Sequence, residues 1–134
     1  GAIDWSVLLI ALPVGLITDG ILHSNNTRDA LTDRRAGIKT MAMGLGHKAS
    51  AILYGFEVIF PYVWIGVLSI MGLMPITTIV IFLTLAVAIG CAKTMMHSLE
   101  GGSGVIADLD VRTANLQLMF SALLTVAFIV AKFI

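Results

Sequence analysis

The chain has 134 residues, of which 58% are hydrophobic and 12% are charged, and its mean hydropathy is +1.00. A soluble domain of this length carries about a quarter charged residues, so the composition excludes an ordinary soluble globular domain. Eight basic and eight acidic residues cancel, which argues against nucleic acid as a partner.

Four apolar segments are long enough to cross a hydrocarbon core, which needs about twenty residues of helix. They lie at about 5–23, 49–73, 75–96 and 113–134. Helix is the expected state of each segment, because an open strand in lipid leaves its backbone groups without hydrogen-bond partners. The sequence therefore predicts an all-α, polytopic membrane protein with four transmembrane helices.

The connections between these segments differ in character. Residues 71–74 are short and uncharged, so the second and third segments are expected to form a tight antiparallel hairpin. The linker at 98–112 contains the run Gly-Gly-Ser-Gly and is expected to be flexible. Four spans place this linker and the polar segment 23–40 at one membrane surface. Every basic residue except Lys132 falls on that side, so the positive-inside rule places it in the cytoplasm.

The polar segment carries a regular row of oxygen-bearing side chains. Asn25, Asp29 and Asp33 recur every four residues, a spacing that puts them on one face of a helix. Magnesium prefers oxygen ligands and often binds through one or two carboxylates together with substrate phosphates. The row therefore predicts a Mg²⁺ site that also takes phosphates. For the spacing alone, a solvated and salt-bridged helix end is the alternative.

Residues 25–40 read N-N-T-R-D-x-x-x-D-R-x-A-G-x-x-T, which resembles the second aspartate-rich motif of the UbiA superfamily of intramembrane prenyltransferases. Residues 21–29, I-L-H-S-N-N-T-R-D, are most similar to the branch that makes menaquinones and vitamin K2, including the 1,4-dihydroxy-2-naphthoate prenyltransferases. The run D-x-R-T-A-x-L at 110–116 also fits the family. The resemblance covers essentially all of the chain.

The resemblance implies a reaction and a set of residues for it. A polyprenyl diphosphate would bind through Mg²⁺, and an electron-rich quinone precursor of the naphthoate or naphthoquinol type would accept the prenyl chain. Asn25, Asp29 and Asp33 would hold the metal, and the two aspartates would be catalytic. The residues implied in diphosphate binding are Asn25, Asn26, Arg28, Arg34 and Lys39.

The family also has an upstream first motif, N-D-x-x-D-x-x-x-D, and these residues contain no match to it. The four spans look like the last four of about nine helices. Residues 1–134 are therefore expected to be the C-terminal part of the enzyme and to be inactive alone. Its partners would then include the N-terminal half of the same enzyme and membrane lipid. A non-catalytic membrane protein that binds quinone or sterol, or that scaffolds a partner, is the alternative.

Three further ionisable residues lie near the site. Glu57 is inside the second span, where a charge is costly and often functional. It is a candidate contact for the aromatic substrate or a proton acceptor, with a glutamate hydrogen-bonded to another helix as the alternative. Asp19 and His23 lie one helical turn apart at the end of the first span and are expected to pair with each other, with a catalytic role as the alternative.

Overall fold

The computed structural model describes residues 6–134, and within this range the chain forms helices and turns without any strand. The predicted all-α class is therefore confirmed. The helices in chain order are α1 (Ser6–Arg35), α2 (Met41–Leu45), α3 (His47–Ile70), a 3₁₀ segment (Ile76–Thr84) that runs directly into α4 (Leu85–Gly101), a 3₁₀ turn (Ser103–Ile106) and α5 (Leu109–Val130).

Four helical stretches are long and apolar enough to cross a membrane, as predicted. They are Val7–Arg35, His47–Ile70, Ile76–Gly101 and Ser103–Val130. The first predicted span began at residue 5, which lies outside the described residues. It was expected to end near residue 23, but α1 continues without a break to Arg35. The acidic row consequently belongs to the same helix as the first span.

One end of the bundle brings together the end of α1, the start of α3, the end of α4 and the start of α5. We call it the polar end, formed by residues 23–48 and 94–112. A hydrogen bond joins α3 to α4 there, since His47 Nε2 lies 2.8 Å from Ser98 Oγ. The polar segment and the linker between α4 and α5 thus lie at the same end of the molecule.

The opposite end is also held by contacts between helices. Trp64 Nε1 in α3 donates to the carbonyl oxygen of Leu9 in α1 at 2.9 Å. Thr77 Oγ1, at the start of the 3₁₀ segment, donates to the carbonyl oxygen of Ala127 in α5 at 2.8 Å. The four long helices therefore run alternately up and down between the two ends.

The loop between α3 and the 3₁₀ segment is the tight hairpin that the sequence predicts. Gly72 takes a positive φ of 70°, a conformation that glycine adopts without strain. The amide of Leu73 donates to the carbonyl of Leu68 at 2.9 Å and closes the end of α3. Across the loop, the hydroxyls of Ser69 and Thr78 are 2.6 Å apart.

The linker at 98–112, expected to be flexible, is instead helical almost throughout, so that expectation is wrong. The amide of Gly102 donates to the carbonyl of Ser98 at 2.9 Å and closes α4. Gly102 then reverses the chain direction at φ 76° and ψ −178°. Ile106 and Leu109 are fully buried, so the short turn is packed onto the bundle. The glycines serve the geometry of the turn rather than flexibility.

Replacing Gly102 by alanine is expected to destabilise the protein by about 1–3 kcal/mol, the usual range for a residue held in a backbone region reserved for glycine. The added Cβ would meet no atom within 4 Å, so the cost is backbone strain rather than a clash. Thermal unfolding of the full-length protein in detergent measures it. Gly104→Ala is the matched control, because it is in the same loop, equally open and not at positive φ. Equal unfolding temperatures for the two variants would contradict the strain.

Two tyrosines of α3 form the centre of the bundle. The Tyr62 ring meets Phe120 of α5 edge-on at a centroid distance of 5.4 Å, and its hydroxyl lies 2.7 Å from Thr84 Oγ1. The Tyr54 hydroxyl lies 2.6 Å from Thr113 Oγ1 of α5. In lipid, helices associate through close packing and hydrogen bonds between helices. These contacts therefore hold α3 against α5 and against the 3₁₀ segment that leads into α4.

Candidate functional site

The predicted row lies on the last part of α1. Asn25, Asp29 and Asp33 are all partly exposed and follow one another at successive turns of the helix. Hydroxyls between them bond back to the helix, as Thr27 Oγ1 donates to the carbonyl of His23 at 2.8 Å. These bonds satisfy the buried hydroxyl within the helix, and α1 continues unbroken through the polar stretch to Arg35.

The end of α1 suits the charges placed there. Arg34 and Arg35 occupy the last turn, where positive side chains interact favourably with the helix dipole. Gly37 takes a positive φ of 75°, and the amide of Ile38 donates back to the carbonyl of Asp33 at 2.9 Å. The helix thus ends immediately after the row, and the chain turns towards α2.

The row faces away from the rest of the described bundle. The packed side of α1 carries Ile17, Gly20 and His23, and a Cβ added at Gly20 would lie 3.3 Å from a side-chain carbon of α3. A period of 3.6 residues places positions 25, 29 and 33 on the opposite side of the helix. The oxygen ligands therefore lie on an open face of α1.

The guanidinium of Arg28 donates hydrogen bonds to Asn25 and Asp29, the first two residues of the row. Its Nε donates to Asp29 Oδ1 at 2.8 Å and its Nη2 to Asp29 Oδ2 at 2.9 Å. The same Nη2 also donates to Asn25 Oδ1. On the other edge, Nη1 donates to the carbonyl of Ala107 at 3.1 Å and lies 3.0 Å from Asp110 Oδ2. All three nitrogens of Arg28 therefore have oxygen partners.

The other residues implied in diphosphate binding are more open. Arg34 and Lys39 are exposed, and Asn26 is partly exposed on α1. Arg34 and Lys39 line the same groove of about 510 Å³ beside α2. Arg34 also lines a cavity of about 310 Å³ between α1 and the start of α3. Two cationic side chains thus lie near the end of α1, on the side that faces α2 and not on the side of the row.

Glu57 forms a buried hydrogen bond with another helix, the alternative considered for it. His23 Nδ1 lies 3.0 Å from each carboxylate oxygen of Glu57, and the two residues are 3% and 2% exposed. The expected pairing of Asp19 with His23 is wrong. Asp19 is exposed, whereas His23 lies on the packed side of α1 and reaches α3 instead.

The donor set at the row fits a hard cation. Asn25 Oδ1 and Asp29 Oδ2 already converge on one positively charged group, Arg28 Nη2. Asp33 makes no side-chain hydrogen bond or ion pair within residues 6–134. That range also contains no group of three or more His, Cys, Asp or Glu side chains able to hold a metal ion. Two carboxylates and one amide could supply only part of a coordination shell, and other oxygen ligands would have to complete it.

Asp110 is the site residue that the sequence did not assign. It lies in the first turn of α5, and its contact with Arg28 joins two segments far apart in the chain. The D-x-R-T-A-x-L run at 110–116 marked this region without giving Asp110 a role. Only the packing of α5 beside α1 reveals the ion pair.

Four membrane-length helices, with a cluster of charged side chains at one end, define an integral multi-pass membrane protein of the all-α class. The sequence profile of the UbiA prenyltransferase family matches residues 1–104. The chain therefore belongs to the UbiA prenyltransferase family.

Several relatives support the same assignment. The chain is 52% identical over 62 residues to the UbiA prenyltransferase domain-containing protein 1 homolog of Drosophila melanogaster, a match covering 46% of this chain and 17% of that protein. It is 44% identical over 69 residues to the human UbiA prenyltransferase domain-containing protein 1, covering 52% and 20%. It is 27% identical over 131 residues to the 1,4-dihydroxy-2-naphthoate octaprenyltransferase of Bacillus subtilis, covering 98% and 42%.

The chain thus spans less than half the length of each of these relatives. No solved structure matches it.

Proposed function

We propose that the full-length protein containing this chain transfers an isoprenyl chain from a polyprenyl diphosphate to an aromatic quinone precursor, with Mg²⁺ as cofactor. The observation that carries the proposal is the row on α1, where Asn25 and Asp29 oxygens converge on one positive group and Asp33 stands beside them. The naphthoate octaprenyltransferase relative aligns with nearly the whole chain, which supports an acceptor of the naphthoate type.

In this proposal the oxygen-bearing side chains bind the metal and the cationic side chains bind the diphosphate. Asn25, Asp29 and Asp33 hold the metal, which when bound neutralises the diphosphate and makes it a better leaving group. Arg34, in the last turn of α1, and Lys39, shortly after it, are the candidates for the remaining phosphate charge. Arg28 was implied in diphosphate binding, and its three nitrogens contact Asn25, Asp29, Asp110 and a backbone carbonyl. It acts here as a counter-ion within the site.

The open face of α1 is where we propose that the N-terminal half of the enzyme packs. On the side of the row, α1 also exposes apolar surface nearer the middle of the membrane, including Leu22, which is 57% exposed. A second set of carboxylates from that half would complete the metal shell across the gap. This arrangement makes residues 1–134 the C-terminal part of a larger bundle.

The distribution of basic residues supports a cytoplasmic position for the polar end. Lys132 lies beyond the far end of α5, at the opposite end of the bundle. All other basic residues are at or near the polar end; they are Arg28, Arg34, Arg35, Lys39, Lys48, Lys93 and Arg112. The proposed diphosphate site would then open to the cytoplasmic surface.

The test uses the full-length protein in lipid vesicles with a polyprenyl diphosphate and 1,4-dihydroxy-2-naphthoate. Prenylated product is expected with Mg²⁺, none after chelation with EDTA, and full recovery when Mg²⁺ is restored. Bound quinone or sterol without any product from a panel of aromatic acceptors would contradict the proposal and favour a non-catalytic binding protein. The coding sequence upstream is a second check, because the proposal requires an N-D-x-x-D-x-x-x-D motif there.

A further inference from the structure

Arg28 is shared between two carboxylates on different helices. One edge of its guanidinium faces Asp29 at 2.8 and 2.9 Å, and the other faces Asp110 at 3.0 Å. The guanidinium is a rigid planar fork with a fixed charge, so it cannot satisfy one side without holding its position relative to the other. Asp29 takes two contacts from Arg28 and Asp110 takes one, so the guanidinium bridges the two carboxylates.

Asp110 depends on Arg28 more than Asp29 does. Its Oδ2 contacts Arg28, while its Oδ1 is buried and has no hydrogen-bond partner among the residues that the structure describes. A buried carboxylate oxygen without a donor is unfavourable, so the remaining ion pair must hold the charge of Asp110. The nearby Arg112 instead donates to Thr94 Oγ1 at 3.1 Å. Asp110 therefore draws Arg28 towards α5.

The contact between Asp110 and Arg28 affects how easily Asp29 can bind a metal ion. A cation that binds Asp29 must take oxygens that Arg28 now holds, so Arg28 competes with the metal for Asp29. When Asp110 and the Ala107 carbonyl retain the guanidinium, Arg28 can give up Asp29 without becoming an unpaired cation. Without Asp110, Asp29 would be the one carboxylate left to Arg28 among its present partners, and Arg28 would bind it more firmly.

We propose that Asp110 is a positioning residue that holds Arg28 on the α5 side and thereby leaves Asp29 available to the metal of the diphosphate site. Asp110 acts through Arg28 and not by touching the substrate. The proposal rests on the proposed function, because it concerns the same metal site. It gives a role to a residue at the start of α5, far in sequence from the aspartate motif.

The test measures metal affinity directly in the full-length protein, with Mn²⁺ as the probe and electron paramagnetic resonance as the readout. Asp110→Asn is expected to weaken Mn²⁺ binding by about 10- to 100-fold, the usual effect of losing a residue that orients a metal ligand. Asp110→Glu, which keeps the charge, is expected to restore most of the affinity. In turnover assays the loss should be overcome by added Mg²⁺, with little change in the maximal rate.

Asp108→Asn is the matched control, because it removes the same charge two residues earlier from an exposed side chain without a capping hydrogen bond. Its Mn²⁺ affinity is expected to equal that of the wild type. An Arg28→Gln background provides the second test, since Asp110→Asn should have no further effect on Mn²⁺ affinity there. A folding defect caused by Asp110→Asn would persist in that background, which separates it from an effect through Arg28.

The outcomes distinguish this proposal from the proposed function. Wild-type Mn²⁺ affinity in Asp110→Asn would overturn the role of Asp110 and leave the metal site standing. An equal loss in Asp108→Asn would also overturn it, by showing a general effect of charge. A wild-type protein that binds no Mn²⁺ would overturn both the metal site and the role of Asp110.

Discussion

In the full-length protein, Asp29→Asn is expected to reduce Mg²⁺-dependent prenyl transfer by about 10²–10³-fold, the usual cost of removing one group that stabilises charge in the transition state. The amide is isosteric with the carboxylate but neutral, so it keeps the shape of the row and removes its strongest attraction for a cation. Asp33→Asn is expected to have a similar effect, because Asp33 has no other partner in the described range. Initial rates of product formation at saturating prenyl diphosphate measure both.

Two controls make this result specific to the row. Asp108→Asn removes a carboxylate from the same end of the molecule and should retain wild-type turnover, since its side chain is exposed and lies outside the row. Thermal unfolding should show that Asp29→Asn remains folded, because Arg28 keeps its contacts with Asp110 and the Ala107 carbonyl. Wild-type turnover in both Asp29→Asn and Asp33→Asn would exclude the metal assignment.

Glu57→Leu is expected to destabilise the full-length protein by about 1–3 kcal/mol, the usual cost of leaving a buried hydrogen-bonding group without its partner. Both oxygens of Glu57 lie 3.0 Å from His23 Nδ1, so the substitution strands a buried imidazole between α1 and α3. Glu57→Gln keeps an acceptor oxygen and should cost much less. Thermal or denaturant unfolding in detergent compares the variants.

The double variant His23→Leu/Glu57→Leu, together with the single variants, forms a double-mutant cycle for this pair. It is expected to recover much of the stability lost in Glu57→Leu, because no buried polar group is left without a partner. Unchanged stability in Glu57→Leu would show that the pair has no structural role. If Glu57 were a proton acceptor in the reaction, Glu57→Gln would fold normally and lose turnover.

The sequence predicted the features that depend on local spacing. Membrane spans follow from apolar length, and the row follows from residues four apart on one helix. The partners of these residues depend instead on how each helix is rotated against its neighbours. His23 was assigned to Asp19 because they are one turn apart, yet the rotation of α1 turns His23 inward to Glu57 and leaves Asp19 outside.

Arg28 shows the same limit for charge. The family resemblance implied a phosphate contact for Arg28, and the sequence did not reveal that the packing of α5 adds Asp110 and the Ala107 carbonyl as acceptors. The linker before α5 was predicted to be flexible because it contains the run Gly-Gly-Ser-Gly. In the structure Ile106 and Leu109 are buried and hold the linker on the bundle. Composition alone does not reveal that this glycine-rich segment is followed directly by buried apolar residues.

The uninterrupted length of α1 determines the depth of the site. Its 30 residues extend about 45 Å, whereas the hydrocarbon core is about 30 Å thick. A helix of this length can carry the row to the level of the lipid headgroups, where the proposed function requires the diphosphate end of a prenyl substrate. The first membrane span and the row belong to the same continuous helix, α1. Inserting a single residue between them would therefore rotate the side chains of the row by about 100° around the helix axis. The distance and the angle of the site are thus set together by one continuous helix.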